Sequence, residues 1–247
     1  MQLLVVGAGE MGRWFARHSG ADAVAFADRD PEVAREAADE AADETADATT
    51  VPLDTDERFE VVCVAVPMTA VPDVISEYAS KATEAVVDVS GEMRDSVAAL
   101  STHADGRERA SFHPLFSASN APGNLPVVVD SGGPTVDAIR ESLSAAGNRV
   151  FETTPEEHDR AMETVQAKAH TAVLAYALAA EEVDPRFQTN LSEPLDELVD
   201  RIAGNTPEVY AEIQERFEGG DSVAEAARAL SEADRESFLD LYEEAGR

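Results

Sequence analysis

Lysine is almost missing from this chain. Only Lys81 and Lys168 occur in 247 residues, and all basic side chains together number 19 against 50 Asp and Glu. The resulting formal charge of −31 argues against nucleic-acid and anionic-membrane partners, because such a field repels phosphate. Cysteine is nearly absent too. Cys63 stands alone, which rules out an intramolecular disulfide, and its place in the run Val61-Val62-Cys63-Val64-Ala65-Val66 marks it as a small buried hydrophobe. No apolar run approaches the roughly 20 residues a membrane-spanning helix needs. The chain goes straight into a strand pattern without the charged and apolar regions of a leader, so a cytoplasmic protein is expected.

The acidic excess is spread over every segment while apolar periodicity persists, so runs such as Glu36 to Asp47 read as solvated surface rather than disorder. A surface this acidic and this poor in lysine suits a salt-rich cytoplasm, where counterions screen the self-repulsion. The expectation is a halophilic protein, with an ordinary acidic one as the alternative. Hydrophobic residues make up 44% of the chain, enough for a substantial core in one large domain or two small ones.

What is present begins at residue 3. The apolar run Leu3-Leu4-Val5-Val6 leads into Gly7-Ala8-Gly9-Glu10-Met11-Gly12 and then into a helical pattern, Arg13 to Arg17. Strand, glycine turn and helix in this order form a dinucleotide-binding signature: Gly7 permits the turn, Gly9 admits a pyrophosphate to the backbone, and Gly12 lets helix and strand pack closely. A second apolar run, Ala23 to Ala27, ends in Asp28, where an acid would bond the adenosine ribose diol. Asp28 favours NAD; Arg29 and Arg35 nearby keep NADP open. The expected cofactor-binding residues are Gly7, Gly9, Met11, Gly12, Asp28, Arg29 and Pro67.

Apolar β-branched runs then alternate with helical patterns to about residue 154, as in a doubly wound parallel sheet with helices on both faces. Strands are expected near 50–51, 60–66, 85–89, 110–112, 126–130 and 149–153, and helices near 31–46, 71–79, 94–100 and 135–146. Thr154-Pro155-Glu156-Glu157 opens a long helix with a capping threonine and a proline in the first position. From there the pattern is all helical, with later helices near 193–203, 207–217 and 222–242. The long helix carries more than a narrow apolar stripe (Val165, Ala169, Ala172, Val173, Tyr176, Leu178), so burial on more than one side is expected. The two expected domains are residues 1–154, an α/β Rossmann-type domain, and 155–247, an all-α domain that pairs with a second copy in a homodimer.

Substrate-site residues of such a sheet belong at the carboxyl ends of strands. Three ends carry chemistry: Pro67-Met68, Ser90-Gly91 and His113-Pro114. His113 can accept the proton that a hydroxyl-bearing carbon sheds as it loses hydride, and Ser90 can bond the same hydroxyl, while either residue can also be purely structural. Farther on, Gln166 and His170 lie four apart and would stack on one helix face toward a pocket. His18 and His103 read as solvated. No metal ligands are assigned.

These residues resemble the prephenate dehydrogenase family. The matching stretches are GAGEMG at 7–12, VAVPM at 64–68, DVSGEM at 88–93, HPLF at 113–116 and EEHDRAMETVQAKAH at 156–170, and they cover roughly residues 1 to 185. The resemblance implies oxidative decarboxylation of prephenate to 4-hydroxyphenylpyruvate in tyrosine biosynthesis. It makes His113 the base, has Ser90 orient the ring hydroxyl, and gives the substrate pocket to Gln166 and His170. The chain departs from the family at two points. Glu197 stands about where an arginine grips the ring carboxylate, leaving Arg201 as the substitute, with Arg107, Arg109 and Arg186 behind it. Glu92-Met93-Arg94 replaces a lysine after the active-site serine. Arogenate therefore remains open as substrate, as does another two-domain nicotinamide reductase of imines or 3-hydroxyacids relying on Lys168. A non-catalytic dinucleotide sensor would need neither His113 nor Ser90.

Overall fold

The computed structural model describes residues 1–42, 47–204 and 206–247 and divides into two compact units, Met1–Asp159 and Arg160–Arg247. The division falls inside a helix, Pro155–Met162, rather than at the 154/155 junction read from the sequence, because the first turns of that helix pack with the sheet-bearing unit.

The first unit is an eight-stranded sheet. Its strands are β1 (Gln2–Val6), β2 (Ala23–Ala27), β3 (Asp47–Thr50), β4 (Phe59–Val64), β5 (Ala82–Val89), β6 (Glu108–Phe112), β7 (Asn124–Ser131) and β8 (Arg149–Glu152), in the order β3-β2-β1-β4-β5-β6-β7-β8. Helices α1 (Glu10–His18), α2 (Pro31–Ala42), α3 (Val71–Tyr78), α4 (Arg94–His103) and α5 (Pro134–Ala145) connect them. Alternation along β1 explains the two layers. Leu3 and Val5 join Trp14, Phe15, Ala37, Ile139 and Leu143 in one buried cluster, while Leu4 and Val6 join Val71, Ile75, Tyr78 and Leu100 in the other. Each large apolar side chain so buried contributes about 1.5–3 kcal/mol.

The sheet is not parallel throughout, as the sequence reading had it. β7 runs antiparallel to β6, with Phe112 opposite Val127, before β8 pairs parallel to β7. A parallel connection needs a crossover of a dozen or more residues, usually a helix. The segment between Phe112 and Asn124 holds only a single 3-10 turn, Ala118–Asn120, so the chain folds straight back. Positions 43–46 of the expected helix 31–46 lie outside the described residues.

The second unit is helical: the rest of α6 (Pro155–Met162), α7 (Ala169–Ala179), α8 (Ser192–Ala203), α9 (Pro207–Arg216), α10 (Gly220–Glu232) and α11 (Arg235–Ala245). The single helix expected at 222–242 is two helices. Asp234 breaks it, its carboxylate accepting from Ser237 N–H at 2.9 Å as the cap of α11. Between α6 and α7, residues Glu163–Lys168 form a π-helical segment. Gln166 lies within it and His170 just beyond it, in α7.

The expected burial of the long helix is not met within one chain. No residue of α7 is buried, and Leu178 is 89% exposed. Leu191, Phe187 and Tyr242 are exposed as well. Among the described residues no helix is long and apolar enough to cross a membrane.

Candidate active site

The glycine turn follows directly from strand register. β1 pairs with β2 on one side and β4 on the other, so the chain leaving Val6 is hemmed in by both neighbours. Gly7 has φ of +99° and donates its N–H to Ala27 O at 2.8 Å; a Cβ there would lie 2.2 Å from Ala65 O. A Cβ on Gly12 would lie 2.0 Å from Gly7 O, so only glycine lets α1 approach the turn. Gly9 differs: nothing lies within 4 Å of its Cβ position, leaving the open backbone face that a phosphate group needs. Asp28, at the end of β2, accepts from Ala8 N–H at 2.8 Å and stands at the rim of this cradle. Arg29 is exposed beside it, whereas Arg35 is engaged by Glu32 at 2.8 Å and Asp39 at 3.0 Å. Met11 packs against the core, and Pro67 caps a short 3-10 turn, Met68–Ala70, after β4.

β5 and β6 pair through Val89 and Phe112, so the residues that follow, Ser90 and His113, leave the sheet side by side. Ser90 N–H donates to Phe112 O at 3.0 Å, and His113 N–H to Pro126 O at 3.1 Å, which fixes both backbones. Farther along the His113 loop, Phe116 packs edge-on against Trp14 with ring centroids 5.3 Å apart, and Ala118 N–H donates to Glu10 at 2.7 Å. The loop that carries the histidine is thus tied to the helix of the glycine turn.

His113 is 7% exposed, and its Nδ1 lies 2.8 Å from His158 Nε2. His158 Nδ1 lies 2.8 Å from an Asp159 oxygen. Asp159 in turn accepts from the N–H groups of Met93 at 3.1 Å and Arg94 at 3.3 Å, at the amino end of α4. These contacts assign the tautomers. A carboxylate only accepts, so His158 carries its proton on Nδ1; its Nε2 therefore accepts from His113 Nδ1–H, and the lone pair of His113 sits on Nε2.

Burial, together with the neighbouring His158, lowers the His113 pKa to about 3, so its ring is neutral at physiological pH. For Asp159, burial alone would raise the carboxyl, but hydrogen bonds from His158 and from Met93 N–H outweigh it and hold the group below the ordinary range. Ser90 Oγ accepts from Glu92 N–H at 3.3 Å, which leaves its hydroxyl proton to donate.

In the second unit, His170 stacks edge-on against Tyr210 with centroids 4.7 Å apart, and burial lowers its pKa. Its Nδ1 is buried and makes no hydrogen bond among the described residues. Gln166 lies in the π segment, half-buried, and Arg201 is exposed in the last turn of α8. The other arginines considered for a carboxylate are committed elsewhere: Arg107 donates to Ala82 O at 2.7 Å, Arg109 pairs with Asp130 at 2.6 Å, and Arg186 pairs with Asp184 at 2.8 Å. His18, expected to be solvated, is half-buried against Trp14. Sequence reasoning gave no role to His158 or Asp159, although both stand inside the EEHD stretch. A histidine followed by an aspartate does not reveal that they line up behind a third residue 45 positions away.

Comparison with known proteins agrees with this build. Residues 2–92 match the family described as NADP oxidoreductase coenzyme F420-dependent, and residues 154–239 match the prephenate dehydrogenase dimerization domain. A 4-amino-4-deoxyprephenate dehydrogenase of Streptomyces pristinaespiralis is 33% identical over 157 residues, covering 57% of this chain and 53% of that protein. A probable arogenate/prephenate dehydrogenase of Methanocaldococcus jannaschii is 26% identical over 99% of this chain and 60% of its own length. The chain thus spans between half and two thirds of these curated relatives. In fold, it superposes on prephenate dehydrogenase from Aquifex aeolicus, crystallised with hydroxyphenyl propionate and NAD+, with a TM-score of 0.72 at 18% identity, covering 100% of this chain and 96% of that one. Synechocystis arogenate dehydrogenase gives a TM-score of 0.63 at 16% identity, covering 100% and 98%.

Proposed function

Since the chain belongs to the prephenate dehydrogenase family, we propose that it oxidises and decarboxylates prephenate, using NAD as the oxidant. The single observation that carries this reading is the His113–His158–Asp159 line at the end of β6, whose following loop is tied to the helix of the glycine turn. The open backbone at Gly9, the close packing at Gly7 and Gly12, and Asp28 at the rim fit a dinucleotide, with Arg29, Met11 and Pro67 flanking it. The bound nicotinamide supplies a hydride acceptor for the hydroxyl-bearing ring carbon.

His113 Nε2 takes the hydroxyl proton. A ring so weakly basic cannot hold a positive charge well, so its Nδ1 proton passes to His158 Nε2, and the cation comes to rest beside the Asp159 carboxylate. Ser90 donates to the same substrate oxygen. Loss of carbon dioxide then makes the ring aromatic and the overall step irreversible. Gln166 and His170 contact the ring's substituents in this proposal, and Arg201 holds a carboxylate. Two copies associate through the exposed apolar residues of the second unit, in a halophilic, cytoplasmic enzyme.

The test is formation of reduced nicotinamide when the protein is mixed, in molar KCl, with prephenate or arogenate and NAD or NADP. Turnover of prephenate with NAD at higher kcat/KM than with NADP is expected, because Asp28 repels a 2′-phosphate. A preference for NADP would hand control to Arg29, and no turnover with either substrate would reject the reading. Arg201→Gln should raise KM at least about tenfold, the loss of a charge-assisted hydrogen bond worth about 1.5–3 kcal/mol. An unchanged KM would remove Arg201 from the site.

A further inference from the structure

Asp88 is a fully buried acid that the proposed mechanism leaves unused, and it lies on β5 two residues before Ser90. Alternation along β5 and β6 turns Asp88 and Ser111 to the layer that Val86 shares with Val71, Ile75, Tyr78 and Leu100. The two stand directly opposite each other across the parallel pair, and Ser111 Oγ donates to Asp88 Oδ1 at 2.9 Å. The next rung, Val89 opposite Phe112, is the last before Ser90 and His113 leave the sheet. Asp88 Oδ2 is buried without a hydrogen-bond partner, and no cation pairs with the carboxyl, among the described residues. Ser96 on α4 spends its hydroxyl proton on Glu92 O at 3.0 Å. One hydroxyl does not offset the cost of taking an ionised carboxylate out of water, so the side chain keeps its proton.

We propose that Asp88 is a positioning residue: as an uncharged acid bonded to Ser111, it staples β5 to β6 one rung before their ends and so sets the spacing of Ser90 and His113. This role rests on the proposed use of both residues on one substrate oxygen. Parallel rungs are slightly weaker than antiparallel ones, and β6 is held on its far side by the antiparallel β7. Without the staple, β6 follows β7 and His113 drifts from Ser90. A charge on Asp88 meets no cation in this layer and draws water between the strands, so the staple holds only while the acid is neutral. Burial, with Glu92 adding to it, raises the carboxyl well above its ordinary range, against the pull of the Ser111 hydroxyl. Cys63 lies on the other face of β4, and its thiol is raised by burial and by Asp88. On α3 and α4 the side chains of Asp73, Glu77, Arg94, Asp95 and His103 are exposed, and Tyr78 donates its hydroxyl to Leu53 O at 2.6 Å.

Infrared difference spectra of the whole protein without substrate, wild type minus Asp88→Asn, read the proton directly. A protonated-carboxyl band is expected in the wild type at neutral pH and absent from the variant. Melting gives a second reading. An aspartate in the unfolded chain ionises at about pH 3.9 while folded Asp88 keeps its proton, so the group costs stability as pH rises from there until the folded acid itself ionises. The Tm of Asp88→Asn relative to wild type should climb over that range. In turnover, the Asn variant is uncharged and still offers Ser111 an acceptor, so its kcat at neutral pH should stay within about twofold of wild type, without the alkaline fall that ionisation of Asp88 brings. Asp88→Ala and Ser111→Ala should each lose about fivefold to tenfold, and the double variant no more than the larger single loss, because one bond is removed in all three. Where Asp88→Ala does not fold, Ser111→Ala set against Asp88→Asn carries the kinetic test. A carboxyl band unchanged in Asp88→Asn, a Tm difference that does not vary with pH, or unimpaired kcat in Ser111→Ala would overturn the proposal. The spectra and melts need no turnover, so a protein that shows the band yet oxidises neither prephenate nor arogenate rejects the proposed function and leaves the neutral acid between β5 and β6 standing.

Discussion

Asparagine at position 113 should lower kcat by about two to four orders of magnitude while the dissociation constant for NAD stays within about twofold, since the proposed base is lost and the glycine turn is untouched. The side chain is similar in reach and can still donate to His158 Nε2, so the buried site is filled and only the lone pair on His113 Nε2 disappears. Near-normal turnover would remove His113 from the chemistry. The wild type's pH profile gives a second check. With the His113 value lowered to about 3, the acid limb of kcat/KM should not fall at the ordinary histidine value near 6.5 but well below it. The sign for stability agrees. The unfolded chain binds a proton below about 6.5 and the folded one does not until about 3, so His113 costs stability as pH falls through that window, and the Asn variant should lose less on acidification.

Asp159→Asn is the other large effect. Two N–H groups and an imidazole N–H converge on its two oxygens, and an amide offers only one acceptor atom. If the amide oxygen stays toward His158, the developing imidazolium loses its counter-charge. If the amide turns, its N–H₂ faces His158 Nδ1, drives the proton to Nε2 and takes the acceptor away from His113. Either way kcat should fall between about a hundredfold and ten-thousandfold, with KM little changed. Labelled-histidine NMR separates the two cases by showing which His158 nitrogen is protonated. A variant with unimpaired kcat would mean that the charge beside His158 is dispensable.

The glycine turn was legible because backbone constraints leave a mark on residue type: Gly7 and Gly12 each meet a steric demand that a local reading anticipates, while Gly9 leaves backbone open. Ser90 and His113 were legible as strand ends because the apolar runs before them stop there. The line of His113, His158 and Asp159 was not, because its contacts join positions 45 and 66 residues apart and depend on how α6 meets the sheet. Glu92 was visible only as a departure from the family pattern, since a buried acid and a surface acid look alike in a chain with 50 of them. The reversal of β7 was missed because β-branched runs such as Val127-Val128-Val129 carry no direction; only the shortness of the preceding connection does. The long apolar helix was read as buried because hydrophobicity records that a face favours cover, not what covers it.

That reversal has a kinetic side. Every parallel pairing between consecutive strands in the sheet waits for an intervening helix or a longer crossover, whereas β6 and β7 close across eleven residues, with Leu115 N–H already reaching Asn124 O at 3.0 Å. Loop-closure entropy grows with the logarithm of length, so this hairpin meets the lowest ordering cost of any strand pair here. In a refolding experiment, amides of β6 and β7 should gain protection from hydrogen exchange ahead of those in β1, whose pairing with β4 must bridge more than fifty residues. The ledge that carries His113 would then be in place before the cradle it serves has closed.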